Sequence, residues 1–289
     1  LYGIIIRNIN VHWCPLSLGS YGQGRTITQV PHIHSVRVFA DAGLSMSMPV
    51  AQGNPCCVMM MKAEPETAPQ PSNVTQCCTW LGENGVPQVR CWTPMGQPIS
   101  LCGHGLLSCG TIWTQRGEVV SRMIMNDANV RFSRHRDISW VGFDPIASEP
   151  SVVPEWVENV FGSAPQLAAV AGGEAGYLIL CWPDSVDLRD LTVPGAELAE
   201  HTGRAIIATC ADTQSPALDI RQRYFAPQHG IAEDIATGSA MRVLASFWQE
   251  QAGYDELRAW QCSVEGGHLF SRIEGGITWV GGRVEAEGV

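Results

Sequence analysis

Two stretches of this chain carry apolar residues at the spacing of a one-sided helix. Leu106, Cys109, Gly110 and Trp113 fall at i, i+3, i+4 and i+7, and Met241, Leu244, Ala245 and Trp248 repeat the spacing. Each run predicts an amphipathic helix with one buried face. The surroundings repeat too: WTPMGQPISLCGHGLLSCGTIW ends at Trp113 and FAPQHGIAEDIATGSAMRVLASFW at Trp248. With those tryptophans superposed, Cys102 falls on Thr237, Gly103 on Gly238 and His104 on Ser239. A duplicated unit, hence two lobes with a site between them, is the first expectation.

Elsewhere the pattern is strand-like. Runs rich in β-branched, aromatic and alternating apolar residues predict strands over 35–39, 56–61, 88–93, 119–125, 176–182 and 204–209, with two more near 269–273 and 277–284. Helical spacing is read over 151–161, 186–191 and 198–203, and the proline-rich stretch 65–71 is read as a loop. The SEPSVVPEW stretch from Ser148 marks the expected boundary between lobes.

The turn before each repeated helix is where chemistry is expected. The first N–H groups of a helix lack internal partners and its dipole leaves that end partly positive, so anions bind there. Gly103, Gly105 and Gly238 let a ligand approach the backbone closely. Two such ends facing one crevice, with Thr237 beside them, would hold a small carboxylate. The same pattern is also what two capped core helices would show, with Ser239 or Thr237 as an N-cap.

These residues resemble the PhzF (phenazine biosynthesis) family. EDIATGSA before an apolar helix is similar to the family's C-terminal signature, CGHG after a WTP-type strand to its N-terminal partner, and the Gly53-Asn54-Pro55 turn to its opening segment. The resemblance implies an α+β, diaminopimelate epimerase-like fold: two pseudo-symmetric lobes, each a curved, barrel-like sheet around a central helix. It places residues 34–148 in the first lobe, completed by 274–289, and 149–273 in the second, leaving 1–33 as an N-terminal extension. The apolar LYGIII start lacks a basic segment before it and reads as a poor signal peptide, and the extension as reading frame upstream of a natural start.

The resemblance further implies an isomerase that shuttles a proton within a small unsaturated, carboxylate-bearing substrate without cofactor or metal, and a homodimer. His104, Asp234 and Ser239 match the family's histidine, aspartate and serine. The family's proton-carrying glutamate is matched by Gln76, in Asn73-Val74-Thr75-Gln76-Cys77, with Glu66 a poorer match. A primary amide cannot carry a proton near neutral pH. Three consequences stay open: the family reaction runs poorly or not at all, another group supplies the acid, with Asp234 and His104 the candidates, or the cleft binds without turnover. A histidine at a helix start feels a field that favours its neutral form, which points to orientation rather than proton transfer. Phenazine biosynthesis itself does not follow from the match.

Alternatives are ranked by the same residues. A two-thiol racemase needs a cysteine on each lobe, and opposite Cys102 stands Thr237, which leaves Cys102 as a one-sided base if the helix end lowers its pKa, although the family resemblance implies a cysteine here that is not the acid or base. A cysteine hydrolase pairing Cys102 with His104 is disfavoured, because residues two apart at a tight turn seldom meet. No G-x-G-x-x-G follows a strand, which argues against a dinucleotide enzyme. The net charge of −10 and the lack of a basic run argue against nucleic acid. No apolar run is long enough to span a membrane. Eleven cysteines without a CxxC pair, several in apolar runs, read as core thiols of a reducing cytosol rather than disulfides or a metal site.

Overall fold

The computed structural model describes residues 32–41 and 48–287. Nearly all of the expected N-terminal extension lies outside them. In chain order the elements are β1 (His32–Val38), β2 (Asn54–Met60), β3 (Thr75–Leu81), β4 (Pro87–Trp92), β5 (Pro98–Ile99), α1 (Gly103–Gln115), β6 (Arg122–Met125), β7 (Ala128–His135) and β8 (Ile138–Phe143). There follow β9 (Ser148–Ser151), α2 (Trp156–Phe161), β10 (Leu167–Ala171), β11 (Tyr177–Cys181), α3 (Leu198–His201), β12 (Ala205–Ala211) and β13 (Ile220–Phe225). The remainder is α4 (Gly238–Ala252), β14 (Glu256–Gln261), β15 (Gly267–Glu274) and β16 (Ile277–Ala286).

The strands pair in the order β1-β2-β3-β4-β6-β7-β8-β16, and β16 returns to β1. These eight strands therefore close into a barrel, which leaves no free edge among them. α1 is its filling: from Gly105 to Trp113 every residue is buried, and the helix touches β1, β2, β3, β4, β7, β8 and β16. The path continues through β15-β14-β13-β12-β11-β10-β9. This second sheet curls around α4, which meets β14 and β15 towards one end and β9 at the other. Its outer face carries a separate apolar layer in which Trp182, Phe161 and Phe225 are fully buried.

The duplication seen in the repeated helices extends to the strands. From β1 to β7, omitting β5, the pairings run antiparallel, parallel, antiparallel, parallel, antiparallel. From β10 to β15 they run the same way. The superposed tryptophans make matching bonds: Trp113 Nε1 donates to Thr79 Oγ1 on β3 at 2.9 Å, and Trp248 Nε1 to Thr209 Oγ1 on β12 at 3.2 Å. Each indole thus buries its body in the core while its N–H is satisfied by the strand.

Sequence patterning located both central helices and the strands β1, β2, β4, β6, β11, β12, β15 and β16; β5, β7, β8, β10, β13 and β14 were not expected, and three further departures have a clear physical reason. The helix expected from Ser151 starts at Trp156, and β9 occupies Ser148–Ser151. β9 is an edge strand pairing only with β10 along the sheet path, where Pro150 stands opposite Ala169, and an edge strand is where a sheet tolerates a proline. The helix expected over 186–191 is a single 3-10 turn, Leu188–Asp190, started by Asp187 accepting from Arg189 N. The third departure is β3 itself, whose TQCCTWL sequence is buried on both faces and so lacks the alternation that marks a half-exposed strand.

Gly110 shows how tightly α1 fits. A Cβ there would lie 2.3 Å from Phe132 Cε2 of β7. Gly110→Val is expected to lower stability by about 1–3 kcal/mol through overpacking, measured as a fall in the urea midpoint. Gly203→Ala, which meets nothing within 4 Å, should leave the midpoint nearly unchanged. Equal midpoints for the two variants would show that the Phe132 ring does not press on the helix.

Candidate active site

The two central helices begin at matching residues. Cys102 is the N-cap of α1 and Thr237 that of α4, both in extended backbone, and neither helix has an acidic residue in its first turn. The two starts abut: a Cβ on Gly103 would stand 3.6 Å from Gly238 Cα. Two sets of first-turn N–H groups and two positive dipole ends therefore share one crevice. Phe39 helps set this approach. Its backbone is left-handed, with φ 65, a conformation that costs a bulky residue on the order of 1–3 kcal/mol. Its fully buried ring lies where side chains on Gly238 and Gly282 would otherwise project.

At the α1 start, Cys102 Sγ accepts a hydrogen bond from Gly105 N at 3.4 Å and lies 3.5 Å from His104 Nδ1. These two residues were not expected to meet. They do because Cys102 is the extended cap and His104 belongs to the first turn, which folds the ring back over the sulfur. Hydrogen bonds from the Cys77 and Cys91 thiols hold the Cys102 thiol well below its ordinary range, and the neighbouring His104 charge adds to them against the cost of burial. For His104, burial favours the neutral ring, but the adjacent Cys102 thiolate, with Cys56 and Asp234 adding to it, pushes the pKa up to about 10. The helix field was expected to keep this imidazole neutral. The sulfur at contact distance opposes that field, and each group favours the charged form of the other. His104 Nε2 is buried and makes no hydrogen bond among the described residues.

At the α4 start, Asp234 is held by both carboxylate oxygens. Asn54 Nδ2 donates to Oδ1 at 3.0 Å and Thr237 Oγ1 to Oδ2 at 2.6 Å. Burial raises its pKa, opposed by those two bonds and by the His104 charge. Asn54 also donates to Ala236 O at 3.1 Å, so a residue opening β2 ties the first barrel to the turn before α4. Thr237 gives its hydroxyl proton to Asp234, which leaves it no role as the second base of a two-thiol racemase. Ser239 sits in the first turn of α4, partly exposed.

Beneath this turn, the fully buried Gln261 of β14 uses all four of its hydrogen-bonding positions. Its Nε2 donates to Asp234 O and Thr237 Oγ1, and its Oε1 accepts from Thr237 N and Gln222 Nε2.

The structure therefore brings together His104, Asp234, Gly103, Gly105, Thr237 and Gly238, with Ser239 at the rim. It does not bring Gln76 to them. Alternation along β3 points Gln76 away from its neighbour Cys77, whose sulfur would lie 2.6 Å from a Cβ on Gly105. The Gln76 amide is buried and donates to Gln70 O at 2.7 Å, anchoring the proline-rich loop. Sequence reasoning assigned no role to Cys77, Cys91, Phe39 and Gln261. The thiols lie in apolar runs that read as core, and nothing local to Gln261 marks a glutamine that acts through a turn 24 residues before it.

Comparison with known proteins agrees with this architecture. The profile of the family described as phenazine biosynthesis-like protein matches residues 157–275. A phenazine biosynthesis-like domain-containing protein 1 of Mus musculus is 30% identical over 214 residues, covering 68% of this chain and 74% of the relative. A protein of Pseudomonas aeruginosa named as an uncharacterized isomerase is 29% identical over 217 residues, covering 70% and 76%. Among solved structures, a PhzF family protein of Enterococcus faecalis superposes with a TM-score of 0.73 at 20% identity over 90% of this chain and 97% of that one. The fold is diaminopimelate epimerase-like, and its family is one of isomerase-type proteins. The chain belongs to the PhzF, phenazine biosynthesis-like family.

Two measurements check the site. The ultraviolet absorbance of one thiolate is expected at neutral pH, lost in Cys102→Ser and strongly reduced in His104→Ala, because removing the imidazolium raises the thiol pKa. As pH falls through the Cys102 pKa the parent signal should disappear. An equal signal in parent and Cys102→Ser would mean that Cys102 is protonated. Gln261→Met leaves Thr237 N and Asp234 O unpaired and should cost about 2–4 kcal/mol; a loss below the error of a urea titration would show that the turn does not need the amide.

Proposed function

We propose that this chain is a cofactor-free isomerase that moves a proton within a small carboxylate-bearing metabolite. The carboxylate docks against the N–H groups where α1 and α4 begin. The proton passes through the Cys102–His104 pair, with Nε2 facing the substrate carbon and Cys102 holding the charge. The observation that carries this reading is the buried His104 Nε2 without a hydrogen-bond partner, on a ring whose Nδ1 contacts the Cys102 sulfur. A pKa of about 10 makes His104 a proton donor in the resting state; the neutral imidazole left after donation is the base that removes a proton from the substrate's second carbon, and the Cys102 sulfur stabilises the imidazolium that re-forms. Asp234 orients rather than shuttles, because both of its oxygens are already engaged.

In this reading Gln76 has left the chemistry and become a structural anchor for the loop at Gln70. That same placement supports a second reading, a PhzF-like cleft that binds its ligand without turnover.

The readings separate in D2O. The purified protein is incubated with a panel of small unsaturated amino and hydroxy acids, and deuterium incorporation at carbon is followed by NMR. Exchange is expected in the parent, a fall of about 10²- to 10⁴-fold in His104→Ala, and no gain in Gln76→Glu, whose side chain points away from the pair. Exchange seen only in Gln76→Glu would overturn the His104 assignment. Saturation-transfer binding without exchange in either protein would leave the binding cleft as the function.

A further inference from the structure

The thiols around the start of α1 are more than core packing. Cys77 on β3 and Cys91 on β4 are directly opposed residues of an antiparallel pair, and such residues have Cα atoms about 4.5–5.5 Å apart, within the range that a disulfide bridges. Their sulfurs lie 2.7 Å apart. A Cβ on Gly105 would meet Cys77 Sγ at 2.6 Å, Cys91 Sγ at 2.6 Å and Cys102 Sγ at 3.1 Å. Three sulfurs therefore converge on one point, and a glycine leaves that point open. Cys102 differs from the other two. It sits at the crevice, at a helix N-terminus and against His104, the surroundings that make a thiol nucleophilic, whereas Cys77 and Cys91 lie behind it in the barrel wall with burial holding both protonated.

We propose that Cys102, Cys77 and Cys91 form a thiol redox site in which a hydroperoxide oxidises Cys102 and the resulting disulfide settles between Cys77 and Cys91. The Cys102 thiolate attacks the terminal peroxide oxygen. The O–O bond breaks, the alkoxide takes up a proton and leaves as an alcohol, and Cys102 becomes a sulfenic acid. Cys77 displaces the hydroxyl, which departs with the Cys77 proton as water, and an S–S bond joins the two. Cys91 then attacks the Cys77 sulfur, releases its proton and expels Cys102 as the thiolate. Two thiols and one hydroperoxide give one disulfide, one alcohol and one water. Oxidation also withdraws the two S–H donors that stabilise the Cys102 thiolate. The effect on proton exchange rests on the role given above to the Cys102–His104 pair, whereas the chemistry of the three thiols does not.

The test treats reduced full-length protein with stoichiometric hydrogen peroxide, alkylates it under denaturing conditions and maps the peptides by mass. A Cys77–Cys91 link reversed by dithiothreitol is expected, formed about tenfold or more slowly in Cys102→Ser, which keeps a capping side chain at the helix start. In Cys91→Ser the link should be replaced by Cys102–Cys77, which reports the relay even if one variant folds poorly. All three thiols remaining alkylatable, Cys102 progressing to sulfinic acid without a link, or equal rates in parent and Cys102→Ser would each overturn the proposal. A link that forms while the reduced protein shows no proton exchange would sink the acid–base reading alone.

Discussion

Two helix N-termini pressed against one another are electrostatically unfavourable unless negative charge lies between or beside them, and the crevice is organised around meeting that condition. Gly103 and Gly238 allow the approach and Phe39 shapes it. On one side the group placed to carry the balancing charge is Cys102, whose thiolate form is favoured by an N–H, two thiols and the His104 ring. On the other it is Asp234, fixed by Asn54 and Thr237. What remains is a positive ring edge and the unused helix amides, a set suited to a small anion with an exchangeable proton.

The two sides reach this state by different means although they descend from one repeated pattern. Cys102 and Thr237 occupy equivalent cap positions, but Cys102 caps its helix through sulfur while Thr237 gives its hydroxyl to Asp234 and leaves its own helix without a side-chain cap. His104 and Ser239 likewise stand at matching places with unlike chemistry. Duplication supplied two helix starts, and divergence of the residues at those starts left a cysteine–histidine pair on one side and a hydrogen-bonded aspartate frame on the other. Gln261 shows how far that frame extends, since its amide ties the turn to the floor of the second sheet.

The helix pair, the CGHG and EDIATGS turns and much of the strand framework were legible from the chain, because period-3.6 spacing and glycine-rich turns are local signals. β3 was not, since a strand buried on both faces shows no alternation and its paired cysteines look like ordinary core. The meeting of Cys102 with His104 depends on the cap geometry, which spacing alone does not specify. Gln76 carried a family position in the sequence yet points to Gln70, because strand alternation decides direction once the pairing with β2 and β4 is set. Asn54 belonged to a recognised turn, but its bond to Asp234 spans 180 residues and could be seen only in three dimensions.

β16 pairs with β8 and β1 on the barrel side and with β15 on the other. In the chain it comes after every strand of the second sheet. During synthesis, then, β1 to β8 must wait as an open sheet, with the side of α1 that meets β16 uncovered, until the other lobe has been translated. The crevice is among the last parts of the molecule to assemble, and a nascent chain stalled before residue 277 would leave the β16-facing side of α1 and the edges of β1 and β8 open to whatever chaperone or neighbouring chain is at hand.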